Sequence, residues 1–237
     1  MIDVSQAVSA ILGAQATIGP GRSVLTGISG IDGSGKGYVT AQIAAALEAR
    51  GRRVANINID GWLNLPSRRF SQTRPAEHFY EHAIRFPELF AQLVLPLREQ
   101  RRRRVVADFA EETATAYRPH TYQFENIDII LLEGIFLLKP AHRAYFDLAV
   151  WVDCTFDTAL ERALRRGQEH LPPAETIRAY EAIYFAAQRI HLARDDPRAA
   201  PTLIVANDPR LMGVDLSGGA RPPSTGGGGT GPRSGGV

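Results

Sequence analysis

Hydrophobic and polar positions along the chain fall into two alternating rhythms. Short apolar, β-branched runs at 23–29, 54–59, 105–109, 127–132, 148–152 and 203–206 predict strands. The run at 127–132 is almost continuously apolar, as expected of a strand buried on both faces of a parallel sheet. Segments of helical length lie between these runs. In 38–50 the residues Val39, Ile43, Ala46 and Leu47 recur on one helical face, and Gly51 ends the segment. Residues 75–85 and 87–101 each carry proline near the start, where a helix accepts it. Further helices are expected over 155–166 and 174–194. The alternation predicts an α/β, three-layer fold: a mostly parallel central sheet with helices on both faces.

The pattern stops near residue 212. From 213 to 237 the chain carries Gly, Pro, Ser and Thr with almost no apolar side chains. Such a segment cannot bury enough surface to offset its ordering entropy, so a disordered tail is expected. Residues 1–212 then form one domain with no internal repeat. Hydrophobic content of 44% is enough for one sizeable core, and a net charge of +2 is too near balance to announce a nucleic-acid binder. The single cysteine, Cys154, excludes an internal disulfide framework and suits a reducing compartment. Residues 1–18 have no basic leader segment, and no apolar stretch reaches the roughly 18 residues of a membrane span. The longest, 127–138, is interrupted by Glu133. A cytoplasmic protein with no membrane or nucleic-acid partner is expected, and a homo-oligomer is left open.

The chemistry concentrates after the first strand. Gly30-Ile31-Asp32-Gly33-Ser34-Gly35-Lys36 follows a strand and precedes a helix, the context a phosphate-binding loop requires. Its glycines let successive N–H groups turn toward phosphate oxygens, and the helix N-terminus adds its positive dipole end. Only two of the 27 basic residues are lysine, and one of them, Lys36, stands where a compact ammonium must bridge the outer phosphates. The motif has a defect. The residue after the lysine should offer a hydroxyl to Mg²⁺, yet it is Gly37. Two carboxylates could compensate. Asp60 ends the second strand in Asp60-Gly61-Trp62, and Glu133 ends the buried strand in Leu132-Glu133-Gly134. Parallel strands ending at one edge converge on the ligand crevice. One carboxylate there would take a proton from a substrate hydroxyl and one would organise Mg²⁺, so both are candidate metal ligands.

These motifs, with Ala107-Asp108-Phe109, Leu132-Glu133-Gly134-Ile135 and the segment 157–166, resemble the uridine kinase/phosphoribulokinase family of P-loop kinases, which includes type I pantothenate kinase. The resemblance spans roughly residues 23–207. It implies a P-loop NTPase fold, ATP as phosphoryl donor, Mg²⁺, Asp60 as general base and Glu133 as the carboxylate near the metal. It places the lid arginines at Arg162 and Arg166, with Arg165 between them. It puts the acceptor pocket in the stretch holding Arg68, Arg69, Phe79, Tyr80, Phe109, Tyr117, Arg118, His120 and Tyr122, with Phe109 and Arg118 as first choices. A nucleoside is the acceptor it suggests first. A pantothenate or sugar-phosphate kinase is the alternative, as is a nucleotide-binding regulatory protein that lost turnover with its Mg²⁺ hydroxyl. The departures are Gly37, a shorter arginine lid where Gly167-Gln168-Glu169-His170 replaces a basic continuation, Ala107 before Asp108 and Ala179 before Tyr180.

Three further signals have plainer explanations. His78 and His82, four apart on one helix, lack a third ligand and belong to a helix surface or pocket rim. The arginine run 101–104 sits between a helix end and a strand, where cations suit the helix C-terminus and solvent. Cys154 is expected to pack rather than react, and Lys139 carries no assigned task.

Overall fold

The computed structural model describes residues 3–167, 170–199 and 202–211. The expected tail at 213–237 lies outside the described residues, as do Gln168 and Glu169 of the shortened lid. Five strands form one sheet: β1 (Val24–Gly30), β2 (Val54–Asn58), β5 (Ile129–Glu133), β6 (Leu148–Asp153) and β7 (Thr202–Ala206). They lie side by side in the order β2-β5-β1-β6-β7, and every pairing is parallel. All seven residues of β1 and all five of β5 are buried, which accounts for their unbroken apolar character.

Side-chain alternation along the strands feeds two separate cores. Val24, Ile28, Ile129, Leu131, Val150 and Val152 pack against α1 (Val4–Ile18) and α2 (Lys36–Glu48). Leu25, Ile130, Leu132, Ala149 and Trp151 face the opposite layer. That layer holds α4 (Pro75–His82), the α5–α6 helix (Phe86–Leu89 and Leu95–Gln100) and the α9–α10 helix (Pro173–Ala179 and Phe185–Asp195). This is the three-layer α/β architecture of P-loop NTPases. The N-terminal helix α1 does not figure among the elements expected from periodicity. Asp3 caps it, accepting from Gln6 N at 2.8 Å while its own N–H donates to Gln6 Oε1, a reciprocal capping box.

Both long helices contain a π turn. The first, Phe90–Val94, precedes Pro96, which lacks an N–H and crowds the carbonyl four residues back; the wider turn relieves both. The second, Tyr180–Tyr184, inserts one residue between Tyr180 and Gln188. Eight regular α-helical residues would separate the two side chains by about 80° around the axis, whereas one extra residue returns them to nearly one face. Both reach Asp32.

The apolar run near 105 does not join the main sheet. It lies in β3 (Arg103–Phe109), which pairs antiparallel with β4 (Arg118–Phe124) as a separate two-stranded hairpin. Trp62 bridges to Ala110 and stacks on Tyr122 at 5.7 Å between centroids, docking this hairpin beside the end of β2.

Candidate active site

The carboxyl ends of β1, β2 and β5 open on one cavity of about 850 Å³. Asp32, Gly33, Gly35, Lys36, Gly37, Asp60 and Glu133 all line it. The structure therefore brings together most of the residues expected at the site. Arg162, Arg166 and Phe109 also reach the cavity, whereas Arg118 does not line it. Arg118 covers the Phe109 ring at 4.4 Å and pairs with Glu111 at 3.0 Å. Gly30 and Ser34 stay within the loop's base, where both are buried.

The loop at 30–36 is anchored through the carbonyls of Gly33 and Ser34. Arg162 Nη1 donates to the carbonyls of Ser34 (3.1 Å) and Gly33 (3.4 Å), and Asn207 Nδ2 donates to Ser34 O at 2.8 Å. Gly35 adopts φ +83°, and a Cβ there would collide with the Asn207 amide, so the position requires glycine twice over. Gly35 is the N-cap of α2 and offers no side-chain cap, so the first amides of that helix have no intrahelical acceptor. Lys36 is buried, with Nζ donating to Ile31 O at 3.0 Å. Asp32 is fixed on three sides: its N–H donates to Gln188, its Oδ1 accepts from Gly33 N, and its Oδ2 accepts from Tyr180 at 2.8 Å. Arg166 lies 3.7 Å from Asp32 Oδ1 and donates to the Tyr180 hydroxyl. Arg165 instead donates to Glu161 O within its own helix.

Arg162 and Arg166 project from α8 (Phe156–Arg166), whose start is pinned by the buried Asp208. That carboxylate accepts from Thr155 N (2.8 Å), Thr155 Oγ1 (2.6 Å) and Thr158 Oγ1 (2.8 Å). Burial alone would raise its pKa, but these donors and the Arg210 amide hold it well below the usual carboxylate range. Asp208 and Asn207 follow β7, so the last strand positions both the loop and the arginine helix.

Asp60 and Glu133 meet through a residue that sequence reading did not single out. In register, Asn58 of β2 and Ile28 of β1 flank Glu133 of β5. Asn58 Nδ2 donates to Glu133 Oε2 at 3.0 Å, and Asn58 Oδ1 accepts from Asp60 N at 2.7 Å. One amide side chain thus fixes both acidic groups. Gly61, directly after Asp60, sits against the Phe109 ring and the Tyr122 hydroxyl, where a Cβ would lie 2.8–2.9 Å from their atoms. The hairpin can close on the Asp60 turn only because that position has no side chain.

Asp60 is exposed toward the cavity, crowded by the protein groups that line it. Loss of bulk water pushes its carboxyl above the ordinary 3.8; Lys36 and Arg166 oppose the rise and Asp32 adds to it. Buried Glu133 is raised for the same first reason, with Lys36 opposing and Asp60 and Asp32 adding. Two acids that disfavour each other's charge, beside a phosphate loop, suit a divalent cation. Mg²⁺ takes one or two carboxylates and keeps water and phosphate oxygens for the rest, so it does not need a dense ligand cluster. Among the described residues no group of three or more His, Cys, Asp or Glu forms such a cluster. A Cβ at Gly37 would point within 3.8 Å of Glu133 Oε2, so the absent hydroxyl would have faced this same carboxylate.

The plainer signals resolve into local structure. Cys154 is buried beside Arg162, and burial pushes its thiol up to about 11, leaving it protonated at neutral pH. His78 Nε2 donates to Arg68 O, and the His78 and His82 rings lie 4.5 Å apart by a groove outside the main cavity. Arg101 binds Asp128 and the carbonyls of Pro20 and Ile127, and Arg103 binds Gln92 O. Lys139 has a task after all: its ammonium lies 3.8 Å over the Tyr80 ring and donates to Tyr80 O, and burial lowers its pKa to about 8.

No helix among the described residues is long and apolar enough to cross a membrane. No family model matches the chain, and no curated protein matches it in sequence. Its structure is similar to that of a possible uridine kinase from Bacillus stearothermophilus, with a TM-score of 0.63 and 19% identity over 84% of this chain and 99% of that one. It is also similar to a candidate fructose transport system kinase from Silicibacter sp. TM1040, with a TM-score of 0.65 and 20% identity over 81% of this chain and 95% of that one. A third likeness is to the D-glycerate 3-kinase of Cryptococcus neoformans, with a TM-score of 0.57 and 12% identity over 86% of this chain and 95% of that one. At these identities the likenesses establish a shared fold, the P-loop NTPase architecture described above.

Proposed function

We propose that the chain is an ATP-dependent kinase that transfers the γ-phosphoryl group to a hydroxyl of a small metabolite. The observation that carries this reading is the convergence of Lys36, Asp60 and Glu133 on one cavity, with Asn58 bonded to the Glu133 carboxylate and to the Asp60 backbone N–H. A protein that only binds nucleotide has no use for a positioned base. In the transfer, the acceptor oxygen bonds to the γ-phosphorus as the bond to the β-phosphate oxygen breaks. The hydroxyl proton goes to Asp60, and ADP leaves. A carboxyl held above its ordinary value is a better proton acceptor near neutral pH than an unperturbed one. Lys36 and the amides at the start of α2 would neutralise the donor phosphates, with Arg166 at the cavity wall. Glu133 would hold Mg²⁺, which supplies charge neutralisation on the phosphates when bound.

The acceptor class is broader than a nucleoside. The similar solved structures carry uridine, fructose and glycerate kinase descriptions, so the fold favours no nucleoside over a sugar or hydroxy acid. A second reading, a regulatory nucleotide binder with little turnover, rests on Gly37 alone. ADP release from Mg·ATP with a panel of uridine, pantothenate, fructose, D-glycerate and ribulose 5-phosphate separates the two. Acceptor-dependent release supports the kinase. ATP binding without release on any acceptor supports the regulator.

A further inference from the structure

The proposed acceptor end of the cavity holds an arginine, Arg69, that forms no ion pair among the described residues. Arg69 closes the short helix α3 (Pro66–Arg69) and lines the cavity with only 2% of its surface exposed. One of its terminal nitrogens donates to the backbone carbonyl of Glu112, and its guanidinium lies 5.0 Å over the Phe70 ring. Its Nε is buried with no hydrogen-bond partner. Among the described residues no carboxylate forms an ion pair with it; Glu112 and Asp60 act on its charge only from a distance. A buried cation is costly to keep unpaired, so a site that retains one is built for an anion that arrives with the ligand.

The neighbouring side chains agree. Two of the aromatic rings that line the cavity already carry a partner on one face: Arg118 covers Phe109, and Tyr122 stacks on Trp62. Glu111 on the cavity wall is neutralised by Arg118. Asp60 and Arg69 line the same cavity, so one small molecule can place a hydroxyl at Asp60 and an anion at Arg69. Guanidinium forks bind carboxylate and phosphate oxygens in pairs.

Building on the kinase reading above, we propose that the acceptor carries a carboxylate or phosphate a few bonds from its reacting hydroxyl, and that Arg69 binds this group. The acceptor is then a hydroxy acid or sugar phosphate rather than a neutral sugar or nucleoside. A site whose buried polar group is left unpaired by the wrong ligand can reject that ligand by about 10⁴-fold.

The test uses the whole chain and matched probes: D-glycerate against glycerol, ribulose 5-phosphate against ribulose, and uridine as the neutral nucleoside. ADP release is followed with Mg·ATP, and direct binding of each probe is followed by calorimetry. The expected result is turnover with at least one anionic probe and kcat/KM lower by 10³-fold or more for its neutral counterpart. The carboxylate and phosphate arms identify which anion the site takes. Arg69→Gln should then raise KM for the anionic probe by about 10²-fold with a smaller change in kcat, and Arg69→Lys should recover part of it. Melting temperatures of both variants separate loss of binding from loss of fold, and the matched probes on the parent chain need no variant at all. Turnover of uridine, glycerol or ribulose equal to that of the anionic probes overturns the anionic acceptor and leaves the kinase standing. Arg69-dependent binding of an anionic probe without ADP release overturns the kinase and leaves the anion site standing. Neither binding nor turnover of any anionic probe overturns the proposal.

Discussion

At the donor end of the cavity, eight consecutive residues, 30–37, supply the loop, its lysine and the start of α2. At the acceptor end, Asp60, Arg69, Phe109 and Tyr122 come from the turn after β2, a short helix and both strands of a separate hairpin. The donor end is fixed by backbone geometry: carbonyls tied to Arg162 and Asn207, and a glycine no other residue could replace. The acceptor end is fixed by side-chain packing across elements, through the Trp62–Tyr122 stack and the closure of Phe109 on Gly61. A backbone-built site serves one ligand shape, the phosphate chain. A side-chain-built site can be respecified by a few substitutions, which is where acceptor choice belongs.

Breaking the donor end should have the largest effect. Lys36→Ala removes a cation from the transferring phosphoryl group and should lower kcat/KM by about 10³–10⁵-fold, with ATP binding also weakened. Initial-rate kinetics with Mg·ATP check this, and near-normal turnover would end the phosphate-loop assignment. At the junction of the two ends, Asp60→Asn keeps shape but cannot accept a proton. It should lower kcat by about 10²–10⁴-fold with ATP affinity little changed. The kcat/KM of the parent should fall as pH drops through the raised value of Asp60, and this acid limb should vanish in the variant.

Glu133→Gln should cost less, about 10–100-fold, and raising Mg²⁺ or supplying Mn²⁺ should recover part of the rate. A Mg²⁺ titration distinguishes the two carboxylates: if metal rescues Asp60→Asn and not Glu133→Gln, their roles are reversed. Gly37→Ser has ordinary van der Waals room beside Glu133, so the fold should be unaffected. Its added hydroxyl should lower the Mg²⁺ concentration for half-maximal rate by less than about tenfold. The smallest effect is on stability. Because the folded pKa of Asp60 is raised, the native state holds its proton more tightly than the unfolded chain does. Stability is therefore lost as pH rises from about 3.8 through that raised value. Asp60→Asn should melt a few degrees higher than the parent at most at pH 7, and that gain should disappear below pH 4 in thermal scans. An unchanged difference across that range would remove the titration as its cause.

The same contrast explains what the sequence made legible. The loop is contiguous, so its glycines and lysine carry their meaning in order. The strands β1 and β5 are buried on both faces and announce themselves as apolar runs. Strand β4 is polar at alternate positions and exposed along one face, so it has no such run, and without it β3 reads as part of the main sheet. Helix α1 was readable from Asp3, Gln6 and the spacing of Ala7, Val8 and Ile11. Asn58 carries its signal two residues before Asp60, where an Asn commonly caps a following turn through its side chain. Arg69 is one of 25 arginines; it is buried like Arg85, but Arg85 pairs with Glu88 and Arg69 forms no ion pair among the described residues. Gln188 and Asn207 act through contacts more than 150 residues away in sequence, which no local pattern encodes.

The central claim is that one cleft moves the terminal phosphoryl group of ATP onto a hydroxyl. The most direct measurement is the fate of γ-labelled phosphate when the chain is incubated with Mg·ATP and each acceptor of the panel. The account predicts label on the acceptor in one-to-one proportion with ADP, and about 10²-fold less or lower still when Asp60→Asn replaces the parent over the same time. Label released only as inorganic phosphate, or retained on ATP with every acceptor, would contradict it.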